Sequence, residues 1–159
     1  MKNFYYSLSF ELLNRDTLLT PQLKKYFGDL LAKQQNSEEK GKNYFRKSSI
    51  YQKSTQARIL DAKLHINSNF LPEELIEKLR STQSLFGVLL IDYKIEINIT
   101  ERKLFNVNDH KTGQMRMGRH HLILGKKTKD IYCHVEEILV PESELKPLSI
   151  FNNKAESNA

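Results

Sequence analysis

Apolar residues in this chain fall into short runs, and most runs beyond residue 43 repeat with the two-residue period of a strand. Ile95, Ile97 and Ile99 alternate with Glu96 and Asn98, the pattern of a strand with one wet face. Leu104 to Val107 extends that strand past an irregularity near the charged pair Glu101-Arg102. Tyr44 to Gln52 and Arg58 to Ile66 read as two more strands, the second burying Ile59, Ala62, Leu64 and Ile66. Phe86 to Ile91 reads as a strand interrupted near its start by Gly87, and Arg116 to Leu124 with Ile131 to Val140 as a last hairpin around GKKTK.

Helical spacing is confined to two places. Thr20 offers a hydroxyl N-cap and Pro21 a first helical residue. Leu23, Phe27, Leu30 and Leu31 then recur at helical intervals, which predicts a helix to about Lys33. Leu75, Ile76 and Leu79 share one face of a shorter helix over Pro72 to Ser81. Residues 4–13 are apolar without a clean period and fit either helix or strand. Gln34 to Asn43 and Asn106 to Gln114 are polar and read as loops. With no internal repeat and no βαβ rhythm, the fold class is α+β, a single domain built on a mostly antiparallel sheet. The domain is expected over 1–147, with 148–159 a disordered tail.

Composition narrows the partners. A chain of 159 residues with 39% hydrophobic content suits one domain. It shows no secretory leader and no apolar run of about 18 residues, so a soluble protein with no membrane partner is expected. The single cysteine, Cys133, excludes an internal disulfide and is expected to pack in its strand. The formal charge of +6 favours anions, either nucleic acid or small dianions. Lysines between Lys40 and Lys53 interleave with Tyr44, Phe45 and Tyr51, a composition compatible with RNA binding. A strand with solvated lysines explains the same residues more simply, so nucleic acid is disfavoured as a partner.

Candidate chemistry centres on Glu136 and Glu137, adjacent carboxylates inside an apolar strand that ends at Pro141. Neighbours in a strand point to opposite faces, so one of the two faces inward and needs a partner there. His134 shares a face with Glu136. His120 and His121 point to opposite faces and lack carboxylate or cysteine company at ligand spacing, which argues against a metal centre. No Ser-His-Asp or Cys-His arrangement and no phosphate loop is present.

Four motifs in order carry a resemblance to the chorismate pyruvate-lyase family and its uncharacterised plastid and prokaryotic relatives. A helix opening with LPEEL leads into a Leu/Phe-Gly turn, Leu71 to Gly87. TERKLF carries Arg102, and GRHHLIL carries Arg119 just before an alternating strand. Glu137-Ile138-Leu139-Val140-Pro141 closes the series. The resemblance covers roughly the second half of the chain. It implies a sheet of about six strands with helical flaps over a buried ligand.

It further implies elimination of pyruvate from chorismate to give 4-hydroxybenzoate, with no metal or organic cofactor, in the cytoplasm or the plastid stroma. The implied catalytic carboxylate is Glu137. Phe86 and Gly87 would contact the ligand, and Arg46, with Lys47 or Arg58 as alternatives, would anchor a carboxylate. Arg102 and Arg119 would pair with carboxylates or line the pocket rim. The chemistry suits these residue types, because Arg binds carboxylate bidentately and a buried glutamate holds a proton for transfer. The chain departs from the family in its first half, where Gln34 to Asn43 is too short and polar to supply the expected strands. The alternative is a non-catalytic module of the same fold that binds a small anionic aromatic or cyclic carboxylate. Oligomeric state is left open by the sequence.

Overall fold

In the computed structural model, which describes residues 7–81 and 83–149, six strands form one antiparallel sheet. They are β1 (Leu30–Lys40), β2 (Asn43–Gln52), β3 (Arg58–Asn67), β4 (Ile97–Asn108), β5 (Met115–Gly125) and β6 (Ile131–Leu139). Their spatial order is β1-β2-β3-β6-β5-β4, so two three-stranded meanders are joined through the β3–β6 pairing. Four helices complete the described chain: α1 (Leu8–Leu13), α2 (Leu19–Phe27), α3 (Glu73–Ser81) and α4 (Phe86–Asp92).

The helices pack on one face of the sheet, and the core divides in two. Leu12 and Leu13 of α1 and Leu19, Leu23 and Phe27 of α2 bury against Ile50, Leu60, Met117 and Leu139. Leu75, Ile76 and Leu79 of α3 and Phe86, Leu89 and Leu90 of α4 bury against Tyr44, Ile66, Cys133 and Ile123. Strand register sets the division. Ile50, Leu60 and Leu139 form one cross-strand row at one end, and Tyr44, Ile66, Cys133 and Ile123 form another at the other end. The two rows between them, Arg46–Leu64–Val135–His121 and Ser48–Ala62–Glu137–Arg119, carry most of the polar residues of the buried face. Two apolar clusters thus bracket a polar strip.

Three sequence expectations are corrected. The first helix stops at Phe27 and does not reach Lys33, because Gly28 adopts φ +75° and its N–H closes on Lys24 O. It also starts at Leu19 after an N-cap at Leu18, so Thr20 is not the cap and lies buried inside the first turn. Leu30, Leu31 and Ala32 enter β1 instead. Second, Gln34 to Asn43 is a strand, not a loop, up to a two-residue turn at Gly41 and Lys42. It is an edge strand exposed on both faces, held by backbone bonds that need no apolar pattern. The expected shortage of strands in the first half therefore disappears.

Third, Phe86 to Ile91 is α4, not a strand. A short apolar run does not distinguish the two by period alone. Gly87 sits where α4 crosses α2, and a Cβ there would lie 2.6 Å from Thr20 Oγ1. The remaining strands fall close to expectation, including the break in β4, where Glu101 has φ +55° and the pairing slips between Thr100 and Lys103. That strand runs to Asn108, which shortens the polar loop expected from Asn106. Leu148, at the start of the expected tail, donates its N–H to Tyr26 O at 2.8 Å, and residues 150–159 lie outside the described residues.

Candidate functional site

The polar strip opens into a narrow cavity of about 50 Å³ between the sheet and the first turns of α2 and α4. Leu64, Ala62 and Val135 make its floor, Leu18 to Thr20 one wall and Leu85 to Gly87 the other. Water occupies roughly 30 Å³ in the liquid and benzene fits an apolar cavity of roughly 150 Å³. A ring-sized ligand therefore enters only when one of these helical flaps shifts.

Arg119, fully buried, is the centre of one end. Its Nε and Nη2 donate to Glu137 Oε1 at 3.0 and 2.8 Å, and its Nη1 donates to Arg15 O at 2.7 Å and Thr17 O at 3.1 Å. The guanidinium thereby ties β5 to β6 and both to the α1–α2 connection. Burial pushes the Glu137 carboxyl above its ordinary range, and the Arg119 charge and hydrogen bonds work against that shift. His121 lies two residues along β5 on the same face, 1% exposed, with its Nδ1 3.7 Å from Glu137 Oε1. That atom is buried and has no hydrogen-bond partner. Burial first, then Arg119 and His120, lowers the His121 pKa to about 3, so the imidazole is neutral at physiological pH.

Arg46 holds the other end. It is 2% exposed, and its Nη1 donates to Ser84 O at 2.8 Å. Its Nε and Nη2 are buried without any hydrogen-bond partner, and no carboxylate pairs with it among the described residues. Desolvation holds its pKa below the usual arginine value. A buried guanidinium with two idle donors is costly.

Among the residues singled out in the sequence, Arg46, Phe86, Gly87, Arg119 and Glu137 all line this cavity. Arg102 does not. It lies beside the β4 irregularity and pairs with Asp16 of the α1–α2 connection at 3.5 Å. The two substitutes for Arg46 are elsewhere: Lys47 is exposed on the opposite face, and Arg58 pairs with Asp61 at 3.1 Å. Of the adjacent glutamates, Glu137 faces the helices, and Glu136 faces outward toward Lys63. His121, Ser48 and Thr20 line the cavity without having been named as site residues. Alternation gave a signal for His121, since it sits at i+2 from Arg119 in one strand. Cys133 is fully buried, with its thiol pKa raised chiefly by desolvation. Among the described residues no group of three or more His, Cys, Asp or Glu side chains is placed to hold a metal ion. Nor is any helix among them long and apolar enough to cross a membrane.

No family model matches the chain, and no curated protein matches it in sequence. Solved structures do. One is the ligand-binding domain of a protein assigned as a GntR-family transcriptional regulator from Bordetella bronchiseptica, with TM-score 0.51 at 9% identity. That match covers 71% of this chain and 83% of the other. Another is gene product SA0254 from Staphylococcus aureus, with TM-score 0.51 at 11% identity over 74% of this chain and 86% of that one. Identity this low speaks for the fold alone. The fold is α+β, a six-stranded antiparallel sheet with flanking helices, the chorismate lyase-like architecture shared by GntR ligand-binding domains.

Proposed function

We propose that this domain is a binding module for a small organic anion, seated with its carboxylate or equivalent group on Arg46. The observation that carries this reading is the pair of buried, unpartnered Arg46 nitrogens at the cavity. Two idle N–H groups on one planar fork match the two oxygens of a carboxylate. Leu64, Val135 and Ala62 offer an apolar bed for the body of the ligand. Ser48, His121 and Glu137 supply hydrogen-bonding groups along it. A flat cyclic carboxylate suits such a lining. The likeness in fold to a domain described as ligand-binding supports the same reading.

A second reading, elimination of pyruvate from chorismate, is favoured by one observation. Glu137 is a mostly buried carboxyl at the cavity with a raised pKa, the state a proton donor needs. Against it, both side-chain bonds from Arg119 converge on Glu137 Oε1 and bind that carboxylate into the scaffold.

The test uses thermal shift and calorimetry with 4-hydroxybenzoate, benzoate, chorismate and inorganic phosphate, on wild type and Arg46→Met. A carboxylate is expected to raise the wild-type melting temperature and to leave the variant unmoved. The unliganded variant should melt about 4–8 °C higher than wild type, because relief of an unsatisfied buried cation is worth about 2 kcal/mol. A variant that still binds, or a wild type that binds none of the four, refutes the binding module. Release of pyruvate from chorismate, lost in Glu137→Ala, would establish the second reading in its place.

A further inference from the structure

The other face of the sheet is built as a surface for something to lie on. Among the described residues no helix packs there. Its centre carries two cross-strand rows in direct register. One is Phe45–His65–His134, and the next is Lys47–Lys63–Glu136–His120–Lys103. In the first row the rings stack, Phe45 on His65 at 4.4 Å and His65 on His134 at 5.4 Å. In the second, His120 stacks on Phe105 at 4.4 Å.

Two slots of about 230 Å³ each open beside these rings. One lies between Phe45, Lys47 and Lys63 and the Asn36–Glu38 stretch of β1, and the other between the His65–His134 stack, Lys63 and His120. Each exceeds the roughly 150 Å³ that holds a benzene ring.

Charge then selects the occupant. Lys47 and Lys63 are paired directly across β2 and β3, where like charges destabilise a sheet. Lys47 and Lys103 meet no carboxylate among the described residues. The acids on this band are already engaged, Glu38 with Lys40 at 3.4 Å and Glu136 with Lys63 at 3.6 Å and His120 at 3.7 Å. Burial first, then His134, holds the His65 pKa below its ordinary value, so the lysines carry the attraction at neutral pH. A second copy of this chain placed face to face would set lysine rows against each other. A ligand with planar rings at intervals along an anionic backbone fits both the slots and the charge.

Solvated lysines alone account for the composition of Lys40 to Lys53 but not for the ring stack set beside them in register, and against the sequence expectation we infer that the open sheet face binds single-stranded nucleic acid, with bases seated beside Phe45 and the histidine stack and phosphates on Lys47, Lys63 and Lys103. The slots lie across the sheet from the cavity and share with it only the strand positions Arg46, Leu64 and Val135, so the Lys47, Lys103 and Phe45 variants report on this face and not on the cavity. The experiment is fluorescence anisotropy of the whole chain with fluorescein-labelled oligo(U) and oligo(dT), the matching duplex, and polyglutamate as competitor. Single strands are expected to bind at low salt, with log K falling against log salt at a slope of about −2, as two or three neutralised phosphates require.

Lys47→Glu with Lys103→Glu should weaken binding roughly tenfold or more and flatten that slope. Phe45→Ala should weaken it several-fold with the slope unchanged, because it removes stacking and not charge. All three side chains are exposed, so the variants should fold and melt within a few degrees of the wild type, with Lys47→Glu relieving the repulsion from Lys63 and Phe45→Ala losing its stack on His65. Absence of single-strand binding at low salt overturns the proposal. So does equal affinity for the duplex or for polyglutamate, which would mean an undiscriminating cationic surface or an acidic protein partner. Indifference to both variants, or a dimer in which this face is occluded, overturns it as well.

Discussion

The two faces of the sheet are written by the same strands, often by adjacent residues of one kind. Glu137 and Glu136, His121 and His120, Arg46 and Lys47 are sequence neighbours with opposite surroundings. On the helical face Glu137 takes two bonds from a fully buried Arg119 and His121 is neutral. On the open face Glu136 meets Lys63 at 3.6 Å and His120 at 3.7 Å, with Lys63 more than half exposed. Residue type alone assigns none of these roles. Burial decides whether a charge is a structural commitment, because the same ion pair gains little in water and is expensive to break once desolvated.

The sharpest way to break the comparison is Arg119→Met. It leaves Glu137 without its cation and cuts the link from β5 to Arg15 O and Thr17 O in the α1–α2 connection. Removing one partner of a buried pair costs about 3–5 kcal/mol, so the urea midpoint should fall steeply. Arg119→Met together with Glu137→Leu removes both charges and should recover a large part of that loss. A loss below about 1 kcal/mol in the single variant would show that the pair is hydrated.

The pH dependence of stability should come next. His121 has a folded-state pKa of about 3 against an ordinary 6.5, so the unfolded chain binds its proton first as pH falls. Its neutral state is therefore favourable above the unfolded value, and its contribution declines from about pH 6.5 downward to about pH 3. The limiting slope is about 1.4 kcal/mol per pH unit. Glu137 opposes it. A carboxyl raised in the fold contributes stability below its unfolded pKa and loses it as pH rises through the folded value. His121→Gln should flatten the decline between pH 6.5 and the acid limit without changing the Glu137 part. Stability curves for the two proteins that run parallel in this window would mean that His121 is solvated.

Much of this contrast was legible in the sequence because two-residue alternation is a direct geometric constraint. Alternation required one of Glu136 and Glu137 to face inward without choosing between them; the choice of Glu137, like Arg119 and like Arg46 with Lys47 and Arg58 as alternatives, came from the resemblance. What escaped was set by tertiary contact. β1 keeps its place through backbone pairing with β2, so its polar side chains carried no strand signal. α4 is apolar on nearly every residue, so its period carried no choice between helix and strand; as a helix it buries Phe86, Leu89 and Leu90 in the second core cluster and brings Gly87 against Thr20. Gly28 ends α2 by adopting a positive φ that a periodic run of leucines cannot announce. For Arg102 the resemblance left two places open, a carboxylate partner or the pocket rim; beside the break at Glu101 it takes the carboxylate of Asp16. The missing information was pairwise throughout: which backbone or side chain each residue would meet.

The smallest expected effect is the most discriminating control. Glu136→Gln removes a carboxylate that is 24% exposed and lies 3.6 Å from Lys63 and 3.7 Å from His120, contacts looser than the bonds that Arg119 makes. A pair of this kind contributes about 0–1 kcal/mol, screened by salt, and the amide keeps an oxygen for Lys63 to meet. Its melting temperature should stay within about 2 °C of wild type, and added salt should narrow the difference by screening the lysines left behind. Glu137→Gln, one residue along, keeps nearly the same shape but takes the counter-charge from a guanidinium that is 0% exposed. That variant should lose several times as much. If the two cost the same, the inward and outward halves of β6 share one dielectric environment, and the buried polar strip loses the property on which the proposed anion site depends.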